Sequence, residues 1–278
     1  MTLPFLSYNQ LIEQALREDI NYIDVTTDNL IPEDQVSNAI FLAKENGVLC
    51  GIDIAVDVLK MLDPGITCEI LRHDGDLLET SDIIARVQGK TRALLKGERT
   101  ALNIMQHLSG ISSATKRAVR AVEGTKASIC DTRKTTPGMR ALEKYAVTVG
   151  GGRNHRFNLS DAALIKDNHV DAVGSIKKAV ATLRKSVGHT VKIEVETRTI
   201  EEFTEALEAG ADIIMLDNMS PRTMKLAVDI AGGKVPLEAS GGITVESLRE
   251  VAATGVALIS IGALTHSVKA LDISMKLI

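Results

Sequence analysis

Between Asp131 and His169 the chain places seven Lys or Arg side chains (Arg133, Lys134, Arg140, Lys144, Arg153, Arg156, Lys166) and two histidines against four acids, a local charge of +3 in a protein whose net charge is −4. Three stretches carry them: Asp131-Thr132-Arg133-Lys134-Thr135-Thr136-Pro137-Gly138, Gly150-Gly151-Gly152-Arg153-Asn154-His155-Arg156 and Lys166-Asp167-Asn168-His169. Gly, Pro and Asn interrupt the cations, which places the charges on loops rather than along a polar helix. Arginine is favoured, and its planar fork matches a carboxylate or phosphate with paired hydrogen bonds. A small polyanionic ligand suits such a cluster; the plainer alternative is a solvated basic face.

Lys166 closes an apolar run, where a desolvated lysine serves either as an imine-forming nucleophile or as a plain cation for a carboxylate. The neighbouring Arg133, His155 and Arg156 favour the cation, because several positive groups around an anion keep the lysine charged. His155 by itself reads equally as a structural histidine. In Val191 to Glu196 the side chains alternate, so Lys192, Glu194 and Glu196 share one face. Lys192 and Glu194 are expected to neutralise each other, leaving Glu196 at the open end. Asp217 ends the next apolar run, so two carboxylates can converge on sugar hydroxyls or on a magnesium ion, which takes one or two carboxylates and fills its shell with phosphates and water. A helix-capping role is the alternative for Asp217. Ser240-Gly241-Gly242 and Ile261-Gly262-Ala263 offer backbone N–H groups that can approach a phosphate closely.

These residues need a frame. From Asp131 onward, short apolar runs ending on one polar residue alternate with helical stretches: the runs are 127–131, 162–166, 191–196, 212–217, 235–240 and 258–262, with helices over 200–209, 221–231 and 245–253. This is the alternation of a parallel sheet with crossover helices. Closed into a barrel, it brings the strand ends to one rim, where such barrels carry their chemistry. Six runs rather than eight point to an incomplete barrel or to strands hidden around 145–152; an open doubly wound sheet is the alternative. Before Asp131 the pattern is that of a separate α+β domain, with helices at 10–18 and 54–62 and strand-like runs at 39–49, 67–71 and 83–87. The expected division is residues 1–105 and 106–278. A long helix over 93–122, either continuous or broken at Ser109-Gly110, joins them. On it Arg99 shares a stripe with Leu95, Leu102 and Met105, where its head either finds a partner or snorkels to water.

Composition excludes other classes. Trp is absent and seven aromatics occur in 278 residues, with no excess of positive charge, so nucleic acid is not the expected partner. Cys50, Cys68 and Cys130 are odd in number with no metal-binding spacing and read as reduced core residues. The start Met1-Thr2-Leu3-Pro4 has no basic region, and no apolar run approaches the roughly 18 residues of a membrane helix, so a cytoplasmic location is expected.

Taken in order, Glu98-Arg99-Thr100-Ala101-Leu102-Asn103, the three cationic stretches with Leu164-Ile165 before the last, Glu194-Val195-Glu196, Leu216-Asp217-Asn218, Glu238-Ala239-Ser240-Gly241-Gly242 and Leu264-Thr265-His266-Ser267 resemble the quinolinate phosphoribosyltransferases, also called carboxylating nicotinate-nucleotide pyrophosphorylases. The resemblance implies an amino-terminal α+β sandwich, an incomplete, seven-stranded type of α/β barrel, and a homodimer whose sites are shared between subunits. It implies transfer of phosphoribose from phosphoribosyl pyrophosphate to quinolinate, with magnesium, giving nicotinate mononucleotide, pyrophosphate and carbon dioxide in NAD biosynthesis. By that resemblance Arg133, His155, Arg156 and Lys166 hold the carboxylates of quinolinate, and Arg99 enters from the partner subunit. Thr132 belongs to the same substrate-binding set, Lys134 faces the pyrophosphate, Glu196 and Asp217 face ribose and metal, and Ser240, Gly241, Gly242 and Gly262 face the 5′-phosphate. Lys134, Lys166, Glu196 and Asp217 form the expected catalytic set. Asn158, Ser112-Ser113 and Ala257 depart from the family's usual residues at positions without an assigned role. Two other readings remain: a relative associated with molybdate transport, and a sugar-phosphate aldolase forming an imine on Lys166.

Overall fold

A computed structural model describes residues 3–278, so the Met1-Thr2 part of the amino-terminal reading lies outside the described residues. Two compact units divide the chain: one takes the residues up to Lys116 with Thr135–Gly151 and Leu264–Ile278, the other Arg117–Lys134 and Gly152–Ala263.

In the first unit, α1 (Asn9–Asp19) and the short α2 (Thr27–Leu30) precede strand β1 (Val36–Ala43) and β2 (Gly47–Val48). Helix α3 (Ile52–Leu62), β3 (Thr67–Ile70), β4 (Leu77–Leu78) and β5 (Ile83–Lys90) follow. Along β1 every second residue, Ala39, Phe41 and Ala43, is fully buried, the period-two signature of a sheet with one covered face. The run expected over 39–49 is in fact two strands, separated at Lys44 to Asn46.

Helix α4 (Thr91–Ala121) runs unbroken for 31 residues, which settles the open question of a break at Ser109-Gly110 in favour of a continuous helix. Both residues serve packing instead. Ser109 accepts a hydrogen bond from Cys50 N at 2.9 Å and donates to Cys50 O at 3.2 Å. A Cβ on Gly110 would lie 2.3 Å from the Lys269 carbonyl, so the glycine admits another backbone against the helix. The buried stripe of α4 is Leu94, Ala101, Leu102, Met105 and Leu108. Arg99 is not on it: its side chain is 65 % exposed and pairs with Glu98 at 3.2 Å, which corrects the expected place on the apolar stripe. The helix turns Leu94 rather than Leu95 inward, which rotates position 99 to the outside.

The second unit begins with β6 (Ser128–Cys130). After α5 (Arg140–Val149), which belongs to the first unit, come β7 (Ala163–Ile165), α6 (Asp167–Val173), α7 (Ile176–Ser186), β8 (Ile193–Thr197) and α8 (Ile200–Glu208). Then follow β9 (Ile213–Asp217), α9 (Pro221–Ala231), β10 (Leu237–Ser240), α10 (Leu248–Ala253) and β11 (Leu258–Ser260). The six strands are parallel in the order β6-β11-β10-β9-β8-β7. Crossover helices start where the sequence supplies caps: Ser175, Thr199 and Ser220 each accept a backbone N–H of the first turn. Ser220, followed by Pro221, caps α9, which leaves Asp217 free of that task.

Beside β6, Arg153 forms a parallel bridge to Cys130, with Arg153 N donating to Ile129 O at 2.8 Å and Asp131 N to Arg153 O at 3.1 Å. The residues following Gly152 thus extend the sheet past β6, and the α/β barrel consists of six regular strands plus this strand-like segment. The chain closes with α11 (Ala263–His266) and β12 (Ile273–Leu277), and the latter completes the antiparallel sheet β12-β1-β5-β3 of the first unit.

Candidate active site

Asp131, fully buried at the end of β6, organises the second cationic loop. Its carboxylate accepts His155 N at 2.8 Å and Asn154 Nδ2 at 2.6 Å. A buried carboxylate is tolerated when such donors satisfy it, and here they fix the backbone from which His155 and Arg156 project. Just beyond Asp131, Thr132 Oγ1 accepts Lys134 N at 3.0 Å, a local turn that presents Arg133 and Lys134 from the strand tip.

Arg156 Nη1 donates to Ala162 O at 2.9 Å, while its Nε is buried without a hydrogen-bond partner. Burial and then the charge of Arg133 lower the Arg156 pKa. A second guanidinium close enough to disfavour the charge of Arg156 marks a place where an anion gains from both.

His155 is directed inward. Its Nε2 lies 3.1 Å from Glu194 and 3.5 Å from Glu238, two carboxylates buried on β8 and β10. Burial alone would lower the imidazole pKa, but the hydrogen bonds and charges of Glu194 and Glu238 outweigh it and raise it. On the other edge of the ring the Arg156 N–H donates to Nδ1 at 2.7 Å, which requires an unprotonated Nδ1. The two carboxylates thus favour a proton on Nε2, while the Arg156 N–H on the other edge opposes a second proton on Nδ1. Glu194 was expected to pair with Lys192. Instead Lys192 is exposed before β8 begins and sits 3.9 Å from Asp212.

At the next strand tips Lys166 Nζ pairs with Glu196 at 2.8 Å. The Lys166 side chain is 48 % exposed, so it lacks the desolvation that an imine-forming lysine needs. Its backbone caps α6 reciprocally with His169. Arg198 pairs with Asp167 beside them. Asp217 ends β9 in register with Ser240 of β10, and its carboxylate accepts Asn218 Nδ2 at 2.8 Å. Gly241 follows with φ +91°, and a Cβ there would lie 2.3 Å from Asn218 Oδ1, so only glycine fits this turn. Gly242 also has positive φ, +60°. Gly262 stands just past β11.

Thus Thr132, Arg133, Lys134, His155, Arg156, Lys166, Glu196, Asp217, Ser240, Gly241, Gly242 and Gly262 all lie at or just beyond the carboxyl ends of the strands of the second unit. Arg99 belongs to the first unit. Two carboxylates on neighbouring strands, Glu196 and Asp217, are a donor set that fits magnesium, with phosphate and water completing the shell. Sequence reasoning missed Glu238 and Asp131 as organising acids, although a glutamate inside the apolar run Leu237 to Ser240 was a usable signal.

The profile of the quinolinate phosphoribosyl transferase C-terminal domain matches residues 111–276, and that of the N-terminal domain matches residues 24–109. The chain belongs to the quinolinate phosphoribosyltransferase family. Among relatives in this family, a probable carboxylating nicotinate-nucleotide pyrophosphorylase of Bacillus subtilis is 47 % identical over 270 residues, covering 97 % of this chain and 93 % of the relative. A protein of the same description from Synechocystis is 41 % identical, covering 99 % and 94 %. The crystal structure of NadC from Streptococcus pyogenes superposes with a TM-score of 0.96 at 41 % identity over 99 % of this chain and 98 % of that one. The quinolinate phosphoribosyltransferase fold, an α/β unit with an amino-terminal sheet domain, is therefore the fold of this chain.

Proposed function

We propose that the site joins quinolinate to phosphoribosyl pyrophosphate and releases pyrophosphate and carbon dioxide, leaving nicotinate mononucleotide. The observation that supports it best is that Arg133, Arg156 and Lys166, cations suited to two carboxylates, stand at the carboxyl-end side of the same parallel sheet as Glu196, Asp217 and the Ser240–Gly242 turn, groups suited to an activated ribose phosphate. In the transfer, the bond between ribose C1 and pyrophosphate oxygen breaks, the pyridine nitrogen bonds to C1, and the bonding pair leaves with pyrophosphate. Glu196 and Asp217 stabilise the positive charge that develops on the sugar, and Lys134 the negative charge on the leaving group. The carboxylate next to the ring nitrogen then departs as carbon dioxide, its electron pair remains on the ring carbon beside the cationic nitrogen, and that carbon takes a proton. No general base with a tuned pKa is needed; fixed charges and alignment carry the rate.

Glu196 and Asp217 would hold magnesium, which supplies charge neutralisation for the pyrophosphate. Arg99, exposed on α4, would reach the site of a second subunit in a homodimer. Three cysteines without disulfides agree with a reducing, cytoplasmic setting, and burial pushes the Cys130 thiol up to about 12, which keeps it unreactive. Among the described residues no helix is long and apolar enough to cross a membrane.

The test is direct. Incubated with quinolinate, phosphoribosyl pyrophosphate and magnesium, the protein should release carbon dioxide and form nicotinate mononucleotide, and EDTA should stop both. No turnover with a folded protein would sink the reading. An imine trapped on Lys166 by borohydride with a carbonyl sugar phosphate would favour the aldolase instead, although the exposed, ion-paired lysine argues against it.

A further inference from the structure

Glu194 and Glu238 are the least expected residues in an anion site. Both are almost wholly buried, at 3 % and 1 % exposure, on β8 and β10. A buried carboxylate is costly unless well partnered, and a negative charge beside an anion site repels the incoming dianion. Their contacts show what they hold. Glu238 accepts from the Ser260 hydroxyl of β11, and both carboxylates face His155 Nε2. Glu194 Oε1 is buried without a hydrogen-bond partner, so the carboxylate is held through Oε2 against the ring. The ring passes this constraint on, because Nδ1 accepts the backbone N–H of Arg156. Arg156 also feels Glu194 as a favourable charge that opposes the repulsion from Arg133.

We propose that Glu194 and Glu238 are positioning residues of the carboxylate clamp: the pair grips Nε2 of His155, and the ring fixes the backbone from which the Arg156 guanidinium reaches the ligand. The assignment rests on the function proposed above. Neither acid needs to touch substrate. Without them the imidazole is released to rotate, its contact to the Arg156 backbone opens, and two adjacent guanidinium groups lose the negative charge that lets them stay together.

Glu194→Gln and Glu238→Gln keep size while removing the charge. In each the KM for quinolinate should rise about tenfold or more, the scale set by losing one charge-assisted hydrogen bond, with the KM for phosphoribosyl pyrophosphate unchanged and kcat altered far less. In a double-mutant cycle, adding Glu238→Gln to His155→Ala should cost nothing further. Equal increases in both KM values, or losses that multiply in the double variant, would overturn the proposal. A measurement on the unaltered protein covers variants that fail to fold: nitrogen-15 spectra should show a His155 Nε2 proton that exchanges slowly with water, and its absence would count against the grip. Binding of benzene-1,2-dicarboxylate, which has two carboxylates and no reactive nitrogen, separates the two readings. If the protein does not turn over quinolinate, yet Glu238→Gln weakens this probe about tenfold, the proposed reaction fails and the positioning role survives. If quinolinate turns over and the variants bind the probe as tightly as the parent, the positioning role fails alone.

Discussion

Lys166 and Arg133 carry opposite lessons about how a cation is held at a strand tip. Lys166 reaches across to Glu196 and stays half in solvent, whereas Arg133 sits near a second guanidinium whose pKa it lowers. Both should be needed for the reaction and neither for the fold. Lys166→Ala and Arg133→Ala are each expected to reduce kcat/KM by about 10²–10³, the usual loss on removing one well-placed donor, with circular dichroism and melting temperature unchanged; near-normal activity would remove the clamp from the account. At this scale the strand rim was legible, because Arg, Lys and carboxylates at the ends of apolar runs announce one. The pairing of the acids was not. Alternation along 191–196 told which residues share a face, but it carries no information about residues 155 and 238, which only sheet register brings to Glu194. Arg99 was misread for a related reason: two adjacent leucines, Leu94 and Leu95, leave a helix face undecided by a fraction of a turn.

The elements themselves were read almost to the residue where an apolar run ends on a polar side chain and a cap follows. Runs expected at 212–217 and 235–240 became Ile213–Asp217 and Leu237–Ser240, and the helix expected at 221–231 is Pro221–Ala231. The long helix expected over 93–122 is α4, but whether it broke at Ser109-Gly110 stayed open, because a glycine that admits a neighbouring backbone cannot be told from one that ends a helix. The start of β8 and β9 yields a prediction of its own. Asp212 accepts Ile193 N at 2.8 Å and pairs with Arg184 at 2.8 Å. Burial opposes its charge, but these partners prevail and hold its carboxyl below the usual carboxylate range. A group with a depressed folded pKa stabilises the protein above its unfolded pKa, and the contribution is lost as pH falls through the folded value. Asp212→Asn should therefore cost about 1 kcal/mol at pH 7 in urea unfolding, a value reduced for the partly exposed arginine. The gap between parent and variant should close as the medium is acidified below about pH 4. A gap that persists unchanged in acid would assign the effect to packing.

For the molecule as a whole, the proposal that Arg99 serves a neighbour's site makes a claim about assembly that single variants do not reach. Arg99→Ala and Lys166→Ala subunits, each inactive alone, should regain part of the activity when mixed and allowed to exchange, since each mixed dimer contains one site with both residues intact. Verified exchange with no recovery would confine each site to one subunit. Two units with different sheet types were foreseen from the change of pattern near Asp131. That the first unit also takes in residues 135–151 and 264–278 was not, because no local pattern reveals a strand added to a sheet from so far along the chain.

That last strand orders events in time. With β12 paired to β1 through five residues, Ala39 to Ala43, one margin of the earliest sheet cannot be sealed until the stretch ending at Leu277 has left the ribosome. In the interval β1 presents bare backbone donors and acceptors to any passing strand, the condition under which nascent chains stick to one another. Shortening the protein by its final strand should thus harm yield and solubility before it harms chemistry, although every residue proposed to handle substrate lies elsewhere.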